Sequence, residues 1–309
     1  MKSIKHFLRS LWGTYLYYKY KRIYEKDPKK AADAMYHKIY GHHMDLDNPK
    51  NLIEKITWLS LNTDTSLWTL CADKYRMRSY VESKGLGEYL PQCYGFWENP
   101  ADIDFSKLPK QFVLKANNGC ATVMIVRDKS LLNEKKVKRQ MKKWLERPFG
   151  YMGAQKHYLS IKPGILAEEL LTQSDDLNQI SPSSMVDFKV WCFNGAPESI
   201  LVTYNRSTEK LKMKLYTPNW EDISNNIIDG KHYYKFDSDI IKCPKCLSEV
   251  LRCAAVISRD FPQIRVDFYI TENKPVIGEL TFTTGYGYFT DDYYRYLGDK
   301  VNLELTQKK

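Results

Sequence analysis

Two strand-like runs near the C-terminus, residues 264–270 and 275–282, constrain the fold of this chain most. The short polar link between them predicts a β-hairpin. Further β-type runs lie upstream, at residues 111–116, 123–127, 165–171, 185–193 and 199–204. Helical patterns come before the first of these runs, at 131–145, and after Cys246. This order predicts an α+β fold with separate lobes, because an α/β fold would alternate strands and helices regularly.

The final hairpin brings charged side chains to one face. Strand alternation points Arg265 and Asp267 to the same side. A three-residue loop, 272–274, would place Asp267 opposite Glu279 and Arg265 opposite Thr281. Carboxylates that face each other across a ladder repel, whereas Mg²⁺ binds to one or two carboxylates together with phosphate oxygens. The pair therefore predicts a magnesium site; the alternative is that Arg265 neutralises one exposed carboxylate.

A second candidate element is a loop of small polar residues, 117–122, which contains Asn118 and Gly119 and follows Lys115. Small residues let backbone N–H groups approach phosphate oxygens, and a lysine supplies a point charge. Lys74, near the start of a predicted helix, would place another charge nearby. The alternative for Lys74 is a solvated lysine on the helix surface.

An acidic pair, Glu168 and Glu169, lies within the apolar run 165–171. One of the two side chains must face the less polar side, or the strand must line a cleft. A buried carboxylate needs a partner, which a hydrogen-bonding ligand would supply. The alternative is an edge strand from which both acids reach water.

The chain is basic, with 47 Lys and Arg against 37 Asp and Glu and a net charge of +10. This charge favours polyanionic partners without choosing among them. Seven scattered cysteines predict reduced thiols in a cytoplasmic protein. Cys243 and Cys246 have zinc-knuckle spacing, but no second pair of ligands accompanies them, so the start of a helix is the preferred interpretation.

The first 24 residues combine lysine and arginine with aromatic side chains. Their longest uncharged run, residues 10–18, is too short to span a bilayer, and the segment lacks the features of a signal peptide. Two interpretations stay open: a helix at the inner face of the membrane, or a helix packed on the main body.

Taken in order, these segments resemble the ATP-grasp superfamily. The runs that resemble D-alanine–D-alanine ligases are Asp73–Arg76, Phe112–Lys115, Ile165–Glu169, Asp187–Lys189, Arg265–Asp267 and Glu279–Thr281. With Leu108-Pro109 and Gly278–Phe282, the set is closer to the TupA-like branch, which is tied to teichuronopeptide and other surface-polysaccharide biosynthesis. The resemblance covers about residues 45–300.

The resemblance implies an ATP-grasp fold that holds its nucleotide between two α+β lobes. The predicted parts are a basic N-terminal helix (1–24), a mostly helical domain (25–105) and two ATP-grasp subdomains (106–164 and 165–309). The implied cofactors are ATP and Mg²⁺. In this interpretation Lys74 and Lys115 contact the ATP phosphates, and the loop with Asn118 and Gly119 closes over them.

The resemblance also implies the remaining roles. Glu168 and the backbone of Glu169, Leu170 and Leu171 would meet the adenine, and Asp187 would reach the ribose. The implied catalytic residues are Arg265, Arg206 and Lys189. The implied metal ligands are Asp267, Glu279 and Thr281. Thr281 departs from the family pattern, which has asparagine there, and a hydroxyl is a poorer ligand than an amide carbonyl; the number of magnesium ions stays open.

The implied activity is that of an ATP-dependent carboxylate–amine ligase working through an acyl-phosphate. The expected substrates are an amine or amino acid and the uronic acid of a capsular or O-antigen polysaccharide, and nucleic acid is not an expected partner. One alternative is a glycosyltransferase, for which Asp45-Leu-Asp47 and Asp237-Ser-Asp239 have the metal-motif spacing. Another is a non-catalytic module that binds polyanions or a membrane.

Overall fold

The structure is a computed structural model that describes residues 2–206, 211–230, 234–236 and 239–304; the side chains of 2–11 and 234–236 are outside this description. The Asp237 of the second Asp-x-Asp stretch therefore lies outside the described residues. No helix in the described ranges is both long enough and apolar enough to cross a membrane.

The N-terminal part is helical, and two of its five described helices have well-defined caps. Its helices are α1 (Lys2–Lys26), α2 (Pro28–Tyr40), α3 (Leu52–Asn62), α4 (Ser66–Ala72) and α5 (Met77–Ser83). Asp27 caps α2, with Pro28 in its first turn, and Gly41 ends this helix in the left-handed conformation. Asn51 and Glu54 form a capping box at the start of α3. These caps fix where α2 and α3 begin, and the apolar faces of the helices pack into the core.

The first sheet has four strands, all antiparallel to their neighbours, in the order β1-β4-β2-β3. Its strands are β1 (Cys93–Trp97), β2 (Phe112–Ala116), β3 (Val123–Val126) and β4 (Ile165–Glu168). Helix α6 (Glu134–Leu145) covers it and buries Val137 and Met141 against β2 and its neighbours. The sheet thus uses chain on both sides of the predicted segment 106–164.

The second sheet has six strands in the order β10-β9-β5-β6-β7-β8. Its strands are β5 (Asp187–Phe193), β6 (Ala196–Tyr204), β7 (Leu211–Tyr216), β8 (Tyr234–Phe236), β9 (Ile264–Thr271) and β10 (Lys274–Thr281). All neighbours are antiparallel except β7 and β8. The remaining helices are α7 (Lys156–Leu159), α8 (Asp175–Ile180), α9 (Leu247–Ser258) and α10 (Asp291–Asp299). Helix α9 packs on this sheet and buries Val250, Cys253, Ala254 and Ile257.

The β9–β10 hairpin has the predicted pairing but not the predicted loop. The loop has two residues rather than three: Glu272 and Asn273, both with positive φ, as a tight hairpin turn requires. The shorter loop alone would shift the register by one residue. A bulge at Gly278 inserts one extra residue into β10 and restores the pairing of Asp267 with Glu279.

Candidate active site

Asp267 on β9 is the most heavily paired carboxylate of the site. Arg265 binds both of its oxygens, with Nε 2.6 Å from Oδ1 and Nη2 2.8 Å from Oδ2. Lys189, its cross-strand partner on β5, places Nζ 2.6 Å from Oδ2. Asp267 is only 3% exposed. Arg265 therefore neutralises this carboxylate, but the carboxylate is buried and not exposed as in the alternative interpretation.

Asp187 extends this group toward the end of β6. Its Oδ2 accepts from Lys189 at 2.5 Å and from Arg206 at 3.1 Å. Its Oδ1 is buried, and no described residue hydrogen-bonds to it. Because an unpaired buried carboxylate oxygen is costly, this atom is available to a ligand with a hydrogen-bond donor, such as a hydroxyl group.

Lys74 connects the two sheets. Its Nζ donates to the carbonyl oxygen of Gly119 at 2.6 Å and lies 3.1 Å from Oε1 of Glu279 on β10. Its backbone N–H donates to the carbonyl of Asn117 at 2.9 Å. The lysine side chain is 11% exposed, so it is not the solvated lysine of the alternative interpretation. The small-residue loop of the first sheet is thereby held over the β9–β10 carboxylates.

The backbone of that loop is fixed by its own side chains. The Asn117 amide donates to Asp73 Oδ2 at 2.8 Å, and its oxygen accepts from the Gly164 N–H at 2.8 Å. Asn118 and Gly119 are buried. Gly119 has φ +74°, and a Cβ there would lie 2.6 Å from the Cβ of Phe149. Only glycine fits this position without displacing its neighbours.

Glu168 at the end of β4 forms a second charged group. Its Oε2 accepts from Lys115 Nζ at 2.7 Å, and Arg78 Nη1 lies 3.6 Å from its Oε1. Glu168 is 3% exposed, and β4 lies between β1 and β2, so the edge-strand alternative was wrong. Arg78 is a candidate that the sequence analysis missed, since an arginine in the first turn of a short helix resembles a solvated one.

The residues after Glu168 have mixed surroundings. Glu169 is exposed, and its backbone N–H donates to the Gln92 carbonyl at 2.9 Å, next to β1. Leu170 and Leu171 are half-buried. The Glu169 N–H is thus already paired within the protein, which leaves Leu170 and Leu171 as the nearer candidates for backbone contact with a ligand.

Thr281 lies directly opposite Arg265 and accepts a hydrogen bond from its Nη2 at 3.2 Å. Thr284 lies three residues beyond the end of β10, and its hydroxyl accepts a hydrogen bond from Arg265 Nη1 at 3.4 Å. The Arg265 guanidinium also lies over the Trp191 ring, 5.3 Å from its centroid. These contacts fix the orientation of Arg265 at the end of the sheet.

The sequence matches the family described as TupA-like ATPgrasp over residues 54–302. The chain belongs to this family. Membership confirms the predicted α+β ATP-grasp fold and the predicted enzyme class, that of ATP-grasp carboxylate–amine ligases. No curated protein matches the chain significantly.

Two solved structures illustrate the likeness of this TupA-like ATP-grasp protein to others. A D-alanine–D-alanine ligase from Bacillus anthracis complexed with ATP is 13% identical, with a TM-score of 0.46; the match covers 84% of this chain and 76% of that one. An L-amino acid ligase from Bacillus licheniformis is 16% identical, with a TM-score of 0.46 and coverage of 85% and 57%.

The charged side chains at the candidate site of this TupA-like protein include more cations than carboxylates. Its carboxylates are Glu168, Asp187, Asp267 and Glu279. The cations within reach of them are Lys74, Arg78, Lys115, Lys189, Arg206 and Arg265. Six cations against four carboxylates leave an excess of two positive charges. Such an excess favours a polyanion such as a nucleoside triphosphate.

The pKa of Asp267 is set by opposing effects. Burial raises the pKa of its carboxyl, but the charges of Arg265 and Lys189 outweigh burial and hold the pKa below its ordinary value. On the same face of β9, the negative charge of Asp187, followed by burial, raises the pKa of Tyr269. Asp267 is therefore ionised at neutral pH and able to bind cations.

The carboxylates of the hairpin fit a magnesium ion that arrives with a nucleotide. Asp267 and Glu279 are direct cross-strand partners, and Thr281 follows on the same strand. Within the described ranges no group of three or more His, Cys, Asp or Glu side chains could hold a metal alone. Two carboxylates are the usual protein contribution to Mg²⁺ when phosphate oxygens supply other ligands.

The Asp45–Asp47 stretch, considered for a glycosyltransferase, lies outside this group. The Asp45 carboxylate accepts from the backbone N–H of Asn48 at 2.9 Å and closes a turn. The Asp45 carboxylate therefore has a local structural role.

Proposed function

We propose that this protein is an ATP-dependent carboxylate–amine ligase that joins an amine or amino acid to a uronic acid of a capsular or O-antigen polysaccharide. The observation that carries the proposal is the pair Asp267 and Glu279, which face each other across the ladder while Lys189, Arg265 and Lys74 hold them. The two carboxylates offer oxygen ligands for Mg²⁺, and the cations around them offer partners for phosphate oxygens, which together support a site for Mg-ATP.

In this proposal the triphosphate binds under the loop that contains Asn118 and Gly119. Lys74 Nζ, now on the Gly119 carbonyl and Glu279, would turn to phosphate oxygens, and Lys115 would contribute a second charge from β2. Asp187 Oδ1, which is buried without a described partner, would accept from a ribose hydroxyl. The adenine edge would lie near Glu168 and the backbone of Leu170 and Leu171.

Mg²⁺, when bound, would neutralise phosphate charge and hold the transferring group in line. Asp267 and Glu279 would hold the ion, and the Thr281 hydroxyl would be the weaker third ligand. All of these side chains lie on β9 and β10, whose pairing fixes their spacing.

The reaction has two steps. An oxygen of the substrate carboxylate attacks the γ-phosphorus of ATP, the bond to ADP breaks, and an acyl-phosphate forms. The amine nitrogen then attacks the acyl carbon, inorganic phosphate leaves, and the nitrogen loses a proton. Arg265, with Arg206 and Lys189 nearby, would stabilise the negative charge that develops on the transferring phosphoryl group. The protein's contribution is positioning and charge neutralisation.

The choice of an acidic glycan rests on the basic chain, with its net charge of +10, and on the TupA-like family. The basic surface would attract a polymer of uronic acids over distance. The two parts that close around the nucleotide would be the four-stranded sheet with α6 and the six-stranded sheet with α9, so the predicted boundary between 106–164 and 165–309 would move beyond β4.

The test is incubation of the protein with Mg-ATP, an acidic oligosaccharide and a pool of amino acids. We expect ADP release that depends on both substrates, and an amide product identified by mass spectrometry. A parallel reaction with UDP-sugars in place of ATP distinguishes a glycosyltransferase. Neither ADP nor amide, under conditions in which the protein binds ATP, would refute the ligase activity proposed for these substrates.

A further inference from the structure

Helix α1 displays aromatic and basic side chains along one side. Trp12, Tyr15 and Tyr18 are 60%, 55% and 60% exposed, and Lys19 and Arg22 are exposed beside them. Spacings of three and four residues place all five on one face of a helix. The rings of Trp12 and Tyr15 stack, with centroids 5.4 Å apart. We call this set of five side chains the outer face of α1.

The opposite side of α1 is packed on the body of the protein. Tyr20 is 4% exposed. Tyr17 and Tyr24 contact the Tyr151 ring edge-on, at centroid distances of 5.6 Å and 5.5 Å. Lys21 lies over the same Tyr151 ring, 5.8 Å from its centroid. The body of the protein therefore holds α1 by one side, which orients the outer face away from it.

A second basic surface adjoins the first. Arg147, just beyond the end of α6, donates to the Thr14 hydroxyl at 3.1 Å and lies over the Tyr17 ring. The exposed cations of α6 are Lys135, Lys136, Arg139, Lys142 and Lys143. No acidic residue occurs in residues 1–24. Arg147 thus adds a further positive charge next to α1, and α6 carries others.

We propose that the outer face of α1 docks this protein on an anionic membrane surface. Tryptophan and tyrosine are the residues that favour the interface of a bilayer, because their rings are apolar and their polar atoms reach water. Lysine and arginine next to them are attracted by anionic lipid headgroups. The complementary partner is therefore a bilayer that contains acidic phospholipids.

The shape of the surface favours a bilayer over a single-stranded nucleic acid. Proteins that bind single strands use a positively charged groove in which bases stack on aromatic rings. The outer face of α1 is the convex side of one helix, and its rings project from that side. A planar partner can contact such a side along its length, whereas a strand would have no groove to follow.

The experiment is co-sedimentation of the full chain with vesicles of phosphatidylcholine and with vesicles that also contain phosphatidylglycerol. We expect binding to the acidic vesicles, weakened by salt. The double variant Lys19→Gln/Arg22→Gln should bind roughly 25-fold more weakly, since each charge near the surface contributes about fivefold. Trp12→Ala/Tyr15→Ala/Tyr18→Ala should also weaken binding.

Matched controls separate this face from general charge and hydrophobicity. Lys107→Gln/Lys110→Gln removes the same charge from side chains that are 83% and 75% exposed on the four-stranded-sheet lobe. Ile240→Ala removes an apolar side chain that is 86% exposed elsewhere. Both controls should bind as the parent chain does. ATP turnover in solution and thermal unfolding should be unchanged in the α1 variants, which shows that they are folded.

Three results would overturn the proposal. One is equal binding of the parent chain to both kinds of vesicle. Another is an equal loss of binding in the α1 pair and in the control pair, which would indicate a general charge effect. The third is binding of homopolymeric RNA through Lys19 and Arg22 while vesicles are not bound, which would assign the face to nucleic acid.

Discussion

Replacing Asp267 with asparagine is the most direct test of the hairpin site. The substitution keeps the shape of the side chain and removes its charge. In the protein, this carboxylate is 3% exposed and pairs with Arg265 at 2.6 Å and 2.8 Å and with Lys189 at 2.6 Å. The amide could accept through one oxygen only, and its NH₂ group would face a cation.

The loss of stability can be worked out from this geometry. Removing one partner of a buried ion pair costs about 3–5 kcal/mol, because the remaining charges lose their compensation. The unfolding entropy is about 2.1 cal/mol/K per residue, or roughly 0.65 kcal/mol/K for the 309 residues. We therefore expect Asp267→Asn to lower the Tm by roughly 5–8 °C.

The effect of ligand distinguishes a binding site from a structural ion pair. Mg-ATP at a hundredfold excess over its Kd stabilises a protein by about 2.7 kcal/mol. In the parent chain this is a rise in Tm of roughly 4 °C. In the variant, adding Mg²⁺ to ATP should raise the Tm much less than in the parent chain. The rate of ADP release should fall by about two orders of magnitude. Differential scanning fluorimetry and a coupled ADP assay measure the two quantities.

Asp222→Asn is the matched control. Asp222 pairs with Lys214 at 3.0 Å on the same sheet, but its side chain is 46% exposed. Because Lys214 is itself only 4% exposed, the loss of this partner should also destabilise the protein, by about 1–3 kcal/mol, but the response to Mg-ATP should equal that of the parent chain. If Asp267→Asn kept the full magnesium-dependent rise and normal turnover, the assignment of this carboxylate to a metal site would be refuted.

Three further predictions concern other parts of the structure. Burial, followed by the charge of Lys156, lowers the pKa of His157 from 6.5 to about 3. The unfolded chain therefore binds a proton at a higher pH than the folded protein, and the free energy of unfolding falls as the pH drops from 6.5 to about 3. His157→Phe should remove this part of the acid sensitivity, as measured by urea titrations at several pH values. Gly119→Ala combines positive φ with a contact of 2.6 Å to Phe149 and should weaken Mg-ATP binding roughly tenfold by calorimetry. Arg78→Met removes one of two cations near Glu168 and should raise KM for ATP roughly tenfold with kcat less affected.

The sequence predicted the pairing of the hairpin by a route that was partly wrong. A three-residue loop and a two-residue loop with one bulged residue give the same partner for Asp267. The second combination occurs, with Gly278 as the bulged residue. A glycine within a strand is a known sign of a bulge, but only the pairing between the turn and Gly278, where Tyr269 lies opposite Val276, shows which combination is used.

Other contacts at the site depend on tertiary structure and could not be predicted from local patterns. Lys115 and Glu168 lie on adjacent strands that are far apart in sequence. Arg78 reaches them from α5, whose sequence has no feature that separates it from a surface helix. The family resemblance supplied candidates for the nucleotide site but not the internal partners of each charge. The roles of these residues in binding and catalysis remain predictions.

The strands that the sequence reasoning missed have a physical explanation. β1 contains Gly95 and is half-buried throughout, so it lacks the apolar alternation that marks a strand. β7 alternates lysine with apolar residues, which is typical of a strand with one exposed face. Lys214 is nevertheless buried, with 4% exposure, and pairs with Asp222. In both strands neighbours in the sheet, rather than local composition, stabilise the extended chain.

The contact of Lys74 with both Gly119 and Glu279 has a kinetic consequence. In the proposed site, the ammonium group and the loop would cover the place that the phosphates take, so this cover would have to lift before a nucleotide entered. Lifting would be a unimolecular event, and its rate would set an upper limit on capture that no increase in ATP concentration could exceed. The same lysine would then slow the loading of the nucleotide and, once phosphate oxygens had replaced its internal partners, its release.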